Sequence, residues 1–102
     1  MTQFDFGNGP VPAHQHPNGG GWVADTAHVD DTAYVGPNAR VYDRARVSGN
    51  ALVLDRARIS VNAQVYESAW VFGRARVFGR ADAAGNALVY GDARVYGDTV
   101  MT

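Results

Sequence analysis

The sequence predicts an all-β fold, a parallel β-helix with three short strands per coil, running from about residue 22 to residue 102. Three regularities predict it. Alanine stands at every sixth position from Ala27 to Ala93, and Thr99 continues the series. An aliphatic residue follows each alanine two places later, from Val29 to Val95, with Ala83 as the small member. Outward-facing residues match in kind at every eighteenth position. A fixed short period of this sort marks a solenoid.

The unit is Ala-x-Val-x followed by two turn residues. Residues two apart share a face of an extended segment, so Ala and Val point inward together. Valine is β-branched and suits a strand of about four residues. The closing pairs Gly-Asn, Asp-Arg, Gly-Arg and Gly-Asp are turn formers. On a helix, a period of six would carry the alanines round to different faces.

Coil length follows from the outward positions. Taken every eighteenth residue, they sort into three columns: His28, Arg46, Gln64, Asp82; Tyr34, Leu52, Trp70, Leu88; and Arg40, Arg58, Arg76, Arg94. A coil of twelve scrambles these kinds. The prediction is a triangular prism of about four and a half coils, roughly 20 Å tall at about 4.8 Å per stacked strand.

Two segments result, an N-terminal cap or arm over 1–21 and the repeat over 22–102. The leader lacks the repeat and is rich in Gly and Pro. An uncovered first coil would expose unpaired backbone and open core. Phe4, Phe6 and Trp22 are placed to cover that end, or the leader wraps a neighbouring protomer.

At this point the unit resembles the hexapeptide-repeat left-handed β-helix family. Val35-Gly36-Pro37-Asn38-Ala39-Arg40 fits its motif of an aliphatic residue, a small or acidic one, two variable positions, a small residue and one more. The resemblance covers about four-fifths of the chain. It implies a single-stranded, left-handed parallel β-helix, although ordinary crossovers are right-handed. It also implies a homotrimer. Members include acyltransferases, γ-class carbonic anhydrases and proteins that are structural or of unassigned role, so fold does not choose a function. The leader also resembles that of small hexapeptide-repeat proteins of phages and bacteria with no assigned role.

Composition narrows the choice. The chain of 102 residues fits one domain. It has no cysteine, which removes disulfides and thiolate metal sites. It has no long apolar run for a membrane span, and its start lacks the pattern of a secretory signal, so the expected place is the cytoplasm, or a virion if phage-encoded. All nine basic residues are arginine, and eight of them lie within residues 32–80. Arginine grips carboxylate or phosphate bidentately and stacks on rings. Acidic residues dominate both ends, and the basic belt is short, which weighs against duplex nucleic acid.

The three faces differ in chemistry. The first, with His28, Arg46, Gln64 and Asp82, is mixed and reads as a solvated surface. The second carries Tyr34, Leu52, Leu54, Trp70, Phe72, Leu88 and Tyr90. The interior is already filled by Ala and Val, so this stripe is expected to be an oligomer interface. The third carries Arg40, Arg58, Arg76 and Arg94 beside Tyr42, Ser60, Phe78 and Tyr96. Adjacent stacked arginines repel by about 1 kcal/mol at water-like dielectric. A carboxylate of another protomer or an anionic ligand is expected to offset that. Packing on the neighbouring rings is the simpler alternative. The ligand-binding set is Arg40, Tyr42, Arg58, Arg76, Phe78, Arg94 and Tyr96.

Enzyme chemistry finds little purchase. His28 is the one histidine on the repeat. A hexapeptide acyltransferase needs a histidine base and a substrate pocket, while a γ-class anhydrase needs three histidine ligands. No Ser-His-Asp constellation is legible. His14 and His16, two apart in the leader, are a candidate axial metal site in a trimer, against ordinary capping hydrogen bonds as the alternative. The expected function is a non-enzymatic oligomer that holds an anionic small molecule, a nucleotide or acidic sugar, in grooves between subunits. Alternatives are a structural phage or bacterial assembly component (spike, tail or capsid-associated) and an acyltransferase-like enzyme.

Overall fold

The computed structural model describes residues 2–102. It is all β, with parallel strands stacked in coils of eighteen residues. Among the described residues, no helix is long and apolar enough to cross a membrane.

The predicted columns are adjacent strand partners. On the third face, β3 (Trp22–Ala24), β6 (Arg40–Val41), β9 (Arg58–Ile59), β12 (Arg76–Val77) and β15 (Arg94–Val95) follow one another in parallel. Arg40 pairs with Arg58, Arg58 with Arg76, and Arg76 with Arg94. On the second face, β5 (Tyr34–Val35), β8 (Leu52–Val53), β11 (Trp70–Val71) and β14 (Leu88–Val89) stack in the same way. The first face stacks β4 (His28–Val29), β7 (Arg46–Val47), β10 (Gln64–Val65), β13 (Asp82–Ala83) and β16 (Val100–Met101).

Inside lie the alanines and valines. Ala33 through Ala81, and Val35 through Val77 with Ile59, are at most 1 % exposed. Full burial of a valine is worth roughly 1.5–3 kcal/mol, so the repeated Val column supplies much of the driving force. Pairing the small Ala with the larger Val lets three strands close tightly around one core.

The regular strands are two residues long, shorter than the four expected, because each alanine N–H belongs to the corner. Ala45 N–H donates to the Tyr42 carbonyl at 3.3 Å, and Ala57 N–H to the Leu54 carbonyl at 3.2 Å, which closes a β-turn. From Asp43 onward, the fifth position of every unit sits in the left-handed region, including Gly73 at φ 69° and Gly79 at φ 69°. Glycine accepts that conformation without steric cost. Asp43, Asp55, Val61 and Glu67 adopt it as well, at φ 57–59°. The corners continue the ladder between coils: Arg44 N–H donates to the Val61 carbonyl and Arg56 N–H to the Gly73 carbonyl, both at 2.9 Å.

The leader extends the third face. β2 (Pro10–Gln15) pairs antiparallel with β3, and β1 (Gln3–Asp5) pairs antiparallel with β2. Phe4 stacks on Trp22 at 4.8 Å, and Phe6 on Tyr42 at 4.9 Å, over a small second core with Ala13 and Ala24. Residues 16–21 then cross the second face. Val35 N–H donates to the Asn18 carbonyl at 3.1 Å, and Gly21 N–H to the Val35 carbonyl at 2.9 Å. A Cβ on Gly19 would meet the Val35 carbonyl oxygen, and one on Gly21 the Gly36 carbonyl oxygen, far inside contact distance. Glycine is required there for close approach of two backbones.

Candidate ligand-binding face

The parallel pairing of β6, β9, β12 and β15 puts four guanidinium groups on one face, one per coil. Arg40 and Arg58 are half-buried, whereas Arg76 and Arg94 are exposed. The Arg40 guanidinium lies 5.0 Å from the Phe4 ring centroid, a cation–π contact that anchors the first member to the leader.

Corner residues add to this face. Asn38, Arg40, Arg56 and Arg58 line a hollow of about 310 Å³ with predominantly polar walls. Three arginines and one asparagine thus share its wall. Asn38 and Arg56 lie eighteen apart in the corner before this face; Arg56 belongs to the arginine belt legible in the sequence, and Asn38 could have been found from the same register.

The electrostatics are one-sided. Among the described residues, the ion pairs are His14–Asp25 at 2.8 Å and His28–Asp30 at 3.0 Å, and no arginine bridges a carboxylate. Several acids are engaged elsewhere. Asp43 accepts from Val61 N–H at 3.2 Å, Asp55 from Gly73 N–H at 3.0 Å, Glu67 from Gly85 N–H at 3.0 Å and Asp30 from Gly49 N–H at 3.3 Å. Acids thus cap corner amides, and the guanidinium forks keep their donors for other acceptors. Such donors suit phosphate or carboxylate.

Rings run alongside the arginines. Phe78 stacks on Tyr96 at 5.4 Å, and Tyr42 on Phe6 at 4.9 Å. Ser60 holds the position between Tyr42 and Phe78.

The expected interface residues form one surface. Tyr34, Leu52, Leu54 and Phe72 are half-buried, while Trp70, Leu88 and Tyr90 are 44 %, 51 % and 60 % exposed. Phe72 stacks on Tyr90 at 5.5 Å. The stripe is contiguous because Trp70 lies between Leu52 and Leu88 in register.

The two leader histidines turn to different partners. His14 Nδ1 meets Asp25 Oδ1 at 2.8 Å near the surface. His16 is 2 % exposed, and its Nε2 donates to the Ala33 carbonyl at 2.8 Å. Asn18 donates to the same carbonyl at 3.2 Å. Among the described residues no group of three or more His, Cys, Asp or Glu side chains is placed to hold a metal ion. His28 is exposed and bonded to Asp30 on the first face.

Coil length, parallel register and corner geometry define the class as a parallel β-solenoid. The family model of the YdcK β-solenoid repeat matches residues 39–55 and 87–102, so the chain is similar to that repeat over these two stretches. No curated protein and no solved structure matches the chain.

Proposed function

We propose that the chain is a non-enzymatic binding protein whose arginine face holds an anionic small molecule, such as a nucleotide or acidic sugar. The observation that carries this reading is the stack Arg40–Arg58–Arg76–Arg94 without an arginine–carboxylate bridge among the described residues. Like charges held one strand apart favour an anion between them. Rings at Tyr42, Phe78 and Tyr96 offer stacking surfaces beside the charges. The apolar second face supports self-association, which would set the arginine faces beside subunit grooves. The resemblance of the hexapeptide unit to the left-handed β-helix family favours a left-handed coil and a homotrimer.

The test is a thermal-shift and calorimetric screen with nucleotides, sugar acids and polyphosphate. A ligand at 100 times its dissociation constant adds about 2.7 kcal/mol of stability. Arg58→Ala combined with Arg76→Ala should abolish the shift. If no anion in the panel raises the melting temperature, the binding reading fails. A stable oligomer without ligand would instead favour a structural assembly role, which the apolar face also supports.

A further inference from the structure

The third face carries a ladder of rings with one rung missing. Phe6 stacks on Tyr42, and Phe78 stacks on Tyr96, at centroid distances of 4.9 and 5.4 Å with nearly parallel planes. Between Tyr42 and Phe78 the chain places Ser60, buried to 8 % exposure. Strands two coils apart are separated by about 9.6 Å, so a ring midway would lie about 4.8 Å from each neighbour, within the stacking range.

The gap opens as a surface hollow of about 210 Å³, lined by Tyr42, Arg58, Ser60, Val61, Arg76 and Phe78. Its size fits a small planar group better than a large ligand, since drug-sized pockets run from about 300 Å³ upward. Two arginine side chains, Arg58 and Arg76, form part of its wall. The Ser60 hydroxyl can donate or accept at the floor. Val61 adds an apolar wall at φ 59°, a conformation costly for a β-branched residue.

We propose that this slot binds a single planar aromatic ring bearing an anionic group, a carboxylate or a phosphate. The ring completes the ladder between Tyr42 and Phe78, and Arg58 and Arg76 hold the anion. The proposal rests on the anion-binding reading above and adds the shape of the ligand and the residue that makes room for it.

The test uses the full chain and three probes: benzoate, cyclohexanecarboxylate and inorganic phosphate. Calorimetry and ligand-observed NMR should show benzoate at least tenfold tighter than cyclohexanecarboxylate, with its ring protons shifted upfield by the flanking rings. Ser60→Phe supplies the missing ring from the protein itself. It should raise the melting temperature and weaken benzoate at least tenfold, with phosphate affinity retained. Ser60→Ala, which keeps the gap and loses only the hydroxyl, should retain the preference for benzoate over cyclohexanecarboxylate. Equal affinity for benzoate and cyclohexanecarboxylate overturns the slot, and this comparison needs only the wild-type chain. If phosphate still binds in that case, the anion face stands without the slot. If none of the three probes binds while a nucleotide, sugar acid or polyphosphate does, the slot falls and the anion face stands; if those anions fail as well, both readings fall.

Discussion

The carboxylate of Asp43 accepts a hydrogen bond from the backbone N–H of Val61, eighteen residues further along, at 3.2 Å. Asp55 and Glu67 do the same for Gly73 and Gly85 at the other two corners. An acid on one coil thus ties down the turn of the next. The two members of the Asp43–Val61 pair both sit in the left-handed region. Asp tolerates that conformation better than Val.

Val61→Gly should therefore stabilise the chain. The left-handed region costs a non-glycine residue about 1–2 kcal/mol, partly offset by the greater freedom of an unfolded glycine. The expected net gain is about 1 kcal/mol, read as a higher urea midpoint with an unchanged slope.

Glycine corners should respond according to what lies beneath them. A Cβ on Gly73 would stand 2.9 Å from the Gly91 nitrogen, whereas one on Gly91 meets nothing within 4 Å. Both have positive φ. Gly91→Ala should cost about 1 kcal/mol from backbone strain alone, and Gly73→Ala clearly more. Equal midpoints for the two variants would contradict the stacked-corner geometry.

His16→Ala should loosen the leader. It removes a buried donor from the Ala33 carbonyl, which keeps Asn18 as a partner. A loss of about 0.5–1.5 kcal/mol is expected, since the carbonyl is not left unsatisfied. Amide exchange should quicken first at Gly21 and Val35, whose backbone bonds join residues 16–21 to the first coil.

Trp70→Asp should disrupt self-association. Trp70 stands at 44 % exposure in the middle of the apolar column. Light scattering should give an oligomer for the wild type and a smaller species for the variant. A monomeric wild type removes the interface reading of the second face.

Much of this structure was legible in the sequence because a six-residue unit leaves few choices. Ala39 and Val41 face inward at every repeat, and Arg40 to Arg94 match at the right interval. Glycine at positions such as 49, 73 and 79 announces the corner conformation. Val61 and Glu67 hide it, since neither residue type signals positive φ. The path of the leader was not legible. Its antiparallel pairing with β3 has no periodic trace, and aromatic residues alone do not say which face they cover. The burial of His16 depends on a carbonyl of Ala33, a partner that tertiary structure supplies. Ser60 reads as an ordinary polar residue until the rings above and below it are placed.

The eighteen-residue register also makes the solenoid a counting device. Excising one whole coil would leave every column intact, merely shortening the prism. Losing one six-residue unit between Arg58 and Arg76 would advance all later residues by one face, so that Arg76 would come to lie over Leu52. Length changes in multiples of eighteen are therefore open to this protein as a route of divergence, while changes of six scramble its surfaces and leave its core pattern untouched.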